Sequence, residues 1–138
     1  ACGNGAVEAE PKTVDLLALR EEIEAVYPEM MEVEGDMRLN FLGIRDEDCV
    51  QCVTLLCADG MKADELWLLE AADDAAMERL TALAEQRMKA KAQETENYTP
   101  DEYQIVIQGQ VITSGRYLAL IVTPDVDAAA KLFREAVG

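Results

Sequence analysis

Two stretches of this chain are apolar at almost every position: Leu66-Trp67-Leu68-Leu69 and Leu118-Ala119-Leu120-Ile121-Val122. Successive side chains of a β-strand point to opposite faces. A sheet built from these runs is therefore apolar on both sides, and each side needs cover. Helices, or a second copy of the chain, must supply it.

The rest of the chain offers those helices. Leu16, Leu19, Ile23 and Val26 recur at helical spacing, with Thr13 placed to cap the segment, Asp15 in its first turn and Pro28 ending it after Tyr27. A short second helix is predicted after Asp36, carrying Met37, Phe41 and Leu42 and stopping at Gly43. Strands are predicted over 49–57 and 63–71, turned through Ala58-Asp59-Gly60. Asp73 and Asp74 then open a long helix that fades near Glu96. Two more strands follow, over 103–113 and 116–123, turned by Ser114-Gly115, with Ile105 and Ile107 alternating with Gln104 and Gln108. Asp125 caps a final helix facing inward through Ala129, Leu132, Phe133 and Val137.

The order β-β-α, β-β-α reads as an internal duplication, with units at about 49–96 and 103–138. A shift of 52 positions lays Leu118 on Leu66, Leu120 on Leu68, Asp125 on Asp73 and Leu132 on Leu80. The expected fold is α+β: two N-terminal helices, then a duplicated ββα unit forming a four-stranded antiparallel sheet. The two repeat helices would pack side by side on one face. Residues 13–138 form one α+β domain in this reading, and residues 1–12, small and polar, a flexible tether.

Charge and composition exclude some functions. With 28 acidic against 12 basic residues, the net charge of −16 repels phosphate backbones, so nucleic acid is not an expected partner. There is no histidine, which removes the usual general base and the usual zinc ligand. No apolar run is long enough to cross a bilayer. Membrane attachment would therefore use a lipid, and Cys2, after the small residue Ala1, stands in the context of a lipidated bacterial cysteine.

Other chemistry-bearing residues have plainer readings. Cys49 and Cys52 are spaced like a metal pair, but an extended run would aim them at opposite faces, and no second pair accompanies them. Cys49, Cys52 and Cys57 are read as buried or half-buried thiols acting as small hydrophobes, with no metal and no cofactor expected. The acidic stretches 29–36 and 46–48 lack a regular calcium loop. Asp64 and Glu65 beside Trp67 are exposed edge charge or a recognition edge. Arg87, Lys89 and Lys91 are the solvated side of a helix.

The chain resembles a family of small bacterial lipoproteins known only as domain of unknown function 4358. The likeness rests on Phe41-Leu42-Gly43-Ile44, Ala63-Asp64-Glu65-Leu66, Gly115-Arg116-Tyr117, and Arg87, Gln93, Tyr98, Pro100 and Glu102. It implies a signal peptide, a lipid on Cys2 and a place on the extracytoplasmic face of the cell membrane; it implies no activity. The three remaining cysteines depart from the family pattern. The expected function is a non-catalytic binding or protein-interaction module tethered outside the membrane. Its expected surface includes Trp67, Leu69, Tyr98, Tyr103 and Tyr117. The alternatives are a small-ligand-binding or carboxylate-based enzyme-like domain with a pocket near Asp64 and Glu65, and a homodimer through the sheet.

Overall fold

The run 65–71 becomes the middle strand of a five-stranded sheet, and the cover that its two apolar faces require comes from this chain alone. The computed structural model describes residues 13–138. The strands are β1 (Met30–Glu32), β2 (Cys49–Cys57), β3 (Glu65–Ala71), β4 (Gln110–Ser114) and β5 (Tyr117–Val122), with helices α1 (Leu16–Glu24), α2 (Asp74–Tyr98), α3 (Pro100–Ile107) and α4 (Val126–Val137). The sheet order is β1-β2-β3-β5-β4, and every neighbouring pair is antiparallel.

One face presents Val53, Leu55, Leu66, Leu68, Ala119 and Ile121 to Leu16, Leu19 and Ile23 of α1 and to Ala129, Ala130 and Phe133 of α4. The other presents Trp67, Leu69, Leu118, Leu120 and Val122 to Ala76, Leu80 and Ala84 of α2, with Val106 of α3, Leu42 and Ile44 filling the margin. Burying one such leucine or phenylalanine stabilises by roughly 1.5–3 kcal/mol. Both layers are therefore needed to hold β3 and β5 out of water.

This arrangement corrects the expected duplication. The sheet has five strands rather than four, because Met30–Glu32 pairs along β2. The helices α2 and α4 lie on opposite faces, not side by side. The reason is register: Leu66 faces Ile121 and Leu68 faces Ala119 across β3 and β5, so even-numbered residues of one strand meet odd-numbered residues of the other. A shift of 52, an even number, therefore matches side chains that point in opposite directions. Leu66 and Leu68 pack under α1 and α4, whereas Leu118 and Leu120 pack under α2.

Local signals mostly act as their chemistry dictates. The short helix expected after Asp36 forms, running on as π-helix over Arg38–Leu42, and Gly43 ends it with φ +78°. Leu42 is buried there, and Met37 and Phe41 are exposed. The β4–β5 turn places Gly115 at φ +59° in its first central position, as a II′ hairpin requires. The expected cap Thr13 gives way to Asp15, whose side chain accepts from the N–H groups of Leu17 and Ala18. Asp73 caps α2 through Ala76 N–H, whereas Asp125 makes no side-chain capping bond to α4.

The largest correction concerns residues 100–107. These form α3 and not the first part of a strand, which begins only at Gln110. Pro100 stands at the start of the helix with Asp101 and Glu102 in its first turn, where a missing N–H is harmless and acidic charge meets the positive end of the dipole. Val106 turns inward and Ile107 outward.

A buried charge cluster under a cavity

The expected tether residues and Cys2 lie outside the described residues. The candidate site forms where the inward stripe of α2 changes chemistry. Ala76, Leu80 and Ala84 pack on the sheet; the same stripe continues as Arg87, Lys91, Thr95 and Tyr98 at spacings of three and four. Arg87 and Lys91 were expected in solvent, yet both reach inward, while Lys89 alone of the three is exposed.

They reach Glu65, the first residue of β3, which is wholly buried. Arg87 grips both carboxylate oxygens, Nε at 3.0 and 3.1 Å and Nη2 at 2.8 Å. Lys91 Nζ lies 3.0 Å from Oε1. Trp67, two residues along the same face, donates its indole N–H to Oε2 at 2.7 Å. Phe41 adds its ring 5.1 Å from the Arg87 guanidinium. A buried carboxylate survives only when paired and fully hydrogen-bonded. Here every donor comes from a different turn or element, so the cluster locks the start of β3 to the middle of α2.

Above the cluster opens a cavity of about 470 Å³, lined by Met61, Lys62, Asp64, Arg87, Lys91, Glu94, Tyr98 and Glu102 among others. Its walls are tied together: Glu102 of α3 accepts from Ala63 N–H at 2.7 Å, and Asp64 accepts from the buried Thr123 hydroxyl at 2.8 Å. The loop 58–64 forms one rim, its turn held by Asp59, which accepts from Met61 N–H at 2.9 Å. Asp64 and Glu65 are thus interior residues, not edge charge. Asp64 lines the cavity, and Glu65 lies beneath Arg87 and Lys91, which line it too.

The expected interaction surface is dispersed. Trp67 and Leu69 are completely buried under α2 and contribute nothing to the exterior. Tyr117 is buried on the opposite face, where its hydroxyl accepts from Val14 N–H. Tyr103 is half-buried on α3, and only Tyr98, 82 % exposed, stands at the cavity mouth. Both sheet faces are covered among the described residues, by α1 and α4 on one side and α2 and α3 on the other.

The three thiols are buried or half-buried as expected, but Cys49 and Cys52 do not face opposite sides. A β-bulge between Cys49 and Gln51 sets Cys49 opposite Ala71 and Cys52 opposite Leu69, so both point to the α2 face. The neighbouring Cys52 thiol holds Cys49 below the usual thiol range, and the Cys49 thiol together with burial pushes Cys52 up. Among the described residues no three metal-ligating side chains come together.

The family model for a domain of unknown function (DUF4358) matches residues 24–123, from the end of α1 through all five strands to the residue after β5. The chain belongs to this family. No curated protein and no solved structure matches it. Within the matched span, Phe41, Asp64, Glu65, Arg87, Tyr98 and Glu102 come from separated segments and gather at this one cluster and cavity. The charged half of the α2 stripe was the sequence signal for it: basic residues continuing an apolar face at unbroken helical spacing.

The thiol arrangement predicts unequal reactivity. Iodoacetamide at pH 8 should label Cys49 before Cys52, and Cys52→Ala, which removes the neighbouring thiol, should slow Cys49 labelling several-fold, as read by mass spectrometry of timed samples. Equal rates, or no effect of Cys52→Ala, would contradict the shared contact.

Proposed function

We propose that this domain is a non-catalytic, small-ligand-binding module held at the extracytoplasmic face of the cell membrane by a lipid on Cys2. The cavity over the Glu65–Arg87–Lys91 cluster is its binding site. That cluster carries the reading, because a cavity floored by fixed, desolvated charges is pre-organised for a polar ligand. The absence of histidine from the whole sequence supports a binding role over acid–base catalysis. Lipid attachment is supported by the residue context of Cys2 and by the acidic surface, which anionic headgroups repel unless a tether holds it. No helix among the described residues is long and apolar enough to cross a membrane.

A screen of small polar metabolites against the isotope-labelled full chain tests the binding role. Amide shifts should cluster at Met61, Lys62, Thr95 and Tyr98; shifts confined to α1 and α4, or none across the library, would contradict it. For the anchor, Cys2→Ser should move the protein from the membrane to the soluble fraction outside the cytoplasm, and unchanged membrane retention would remove the lipid from the account.

A further inference from the structure

We infer that the cavity takes an amino-acid-like zwitterion, a free amino acid or a short peptide, whose carboxylate meets Lys91 and Arg87; this rests on the binding role proposed above. The argument begins with an imbalance of charge. Among the described residues Glu65 is the sole carboxylate in an ion pair with Arg87 or with Lys91, so two cations share one anion. Glu65 is also spent as an acceptor: its two oxygens already face Trp67 Nε1, Arg87 Nε and Nη2, and Lys91 Nζ. Lys91 carries three N–H donors and Arg87 Nη1 two more. Beyond the Glu65 contacts, none has a protein acceptor among the described residues.

Burial makes this surplus costly. Lys91 is only 7 % exposed and lines the cavity, so whatever reaches its remaining donors comes through that space. An unneutralised buried cation is unfavourable until an anion joins it. A carboxylate entering from the cavity supplies that charge, together with acceptors of the planar kind that guanidinium and ammonium donors favour.

The walls decide what else the ligand carries. Asp64, Glu94 and Glu102 stand around the same space, and the first and last each have one oxygen engaged by a protein donor. A dianion such as phosphate would meet these three like charges against the single further cation Lys62, in a chain whose net charge is −16. A cationic amine would be drawn to them. A ligand that brings a carboxylate to Lys91 and Arg87 and an amine to these carboxylates is a zwitterion, and Leu56, Met61 and Tyr98 offer apolar contact to its body. A cavity of about 470 Å³ has room for an amino acid or a short peptide.

Trp67 makes the test direct. It is the single tryptophan, and its indole N–H lies on Glu65, so one indole cross-peak in a nitrogen–proton spectrum reports on the cluster. The full chain is titrated with four probes: pooled free amino acids, pooled tripeptides with free termini, the same tripeptides amidated at the C-terminus, and inorganic phosphate. Saturable movement of the indole and of the Thr95 amide is expected with at least one of the first two pools, and which of them binds more tightly identifies the source. Amidation should weaken binding at least tenfold, as should Lys91→Met. Should Lys91→Met fail to fold, the free and amidated pools on the unaltered protein decide the matter. Equal binding of amidated and free peptides, or preferential binding of phosphate, overturns the zwitterion and leaves the binding role standing. Silence with all four probes also overturns it, and the broader metabolite screen then judges the binding role by itself.

Discussion

The buried carboxylate of Glu65 is the interaction on which the functional half of the structure depends. It sits at the first residue of the middle strand, where an apolar sheet face reaches the margin of the core. The indole of Trp67, the fork of Arg87 and the ammonium of Lys91 all converge on its two oxygens. Removing the Glu65 carboxylate would leave both cations unpaired in the interior, a loss of about 3–5 kcal/mol in comparable buried pairs. A hydrophobic replacement could serve stability equally well. The cluster is therefore better understood as a means of fixing charge at the floor of a cavity than as reinforcement of the fold.

The fold itself rests on a simpler constraint. A strand pair apolar on both faces has to be sandwiched, and the chain meets this with α1 and α4 on one side and α2 and α3 on the other. That requirement was legible in Leu66 to Leu69 and Leu118 to Val122, as were the Gly43 stop, the Gly115 hairpin and the Asp73 cap. Each is a local signal with one physical outcome. The duplicated arrangement was not recoverable, because helix placement depends on cross-strand register, and Leu66 opposite Ile121 is a long-range fact. Residues 100–107 misled for a different reason. Ile105 and Ile107 alternate like a strand, but Pro100, Asp101 and Glu102 begin a helix, and capping chemistry prevailed over a two-fold pattern in so short a segment.

The site was half legible. Asp64 and Glu65 stood out as carboxylates beside an aromatic residue; Asp64 lines the cavity, and Glu65 is buried beneath it. Their partners were misplaced, because Arg87 and Lys91 look like surface charge until the α2 stripe is followed from Ala76 through Ala84 and beyond. The bulge after Cys49 is equally invisible in the residue pattern, since one extra residue in a strand redirects a thiol without changing composition. Of the residues expected to form an interaction surface, Trp67 serves the cavity from below, as a donor to Glu65. The site is thus an interior charge arrangement opening outward, not an apolar face awaiting a partner.

The coupling between Glu65 and Lys91 tests this account most directly. Glu65→Gln, Lys91→Met and the double variant, unfolded in urea beside the unaltered chain, yield that coupling as a double-mutant cycle. A buried, directly paired cluster predicts a coupling of about 1 kcal/mol or more, with the double variant losing less stability than the two single losses combined. Additive losses, with coupling indistinguishable from zero, would mean that Lys91 does not sit on the Glu65 carboxylate and that the charged floor of the cavity does not exist.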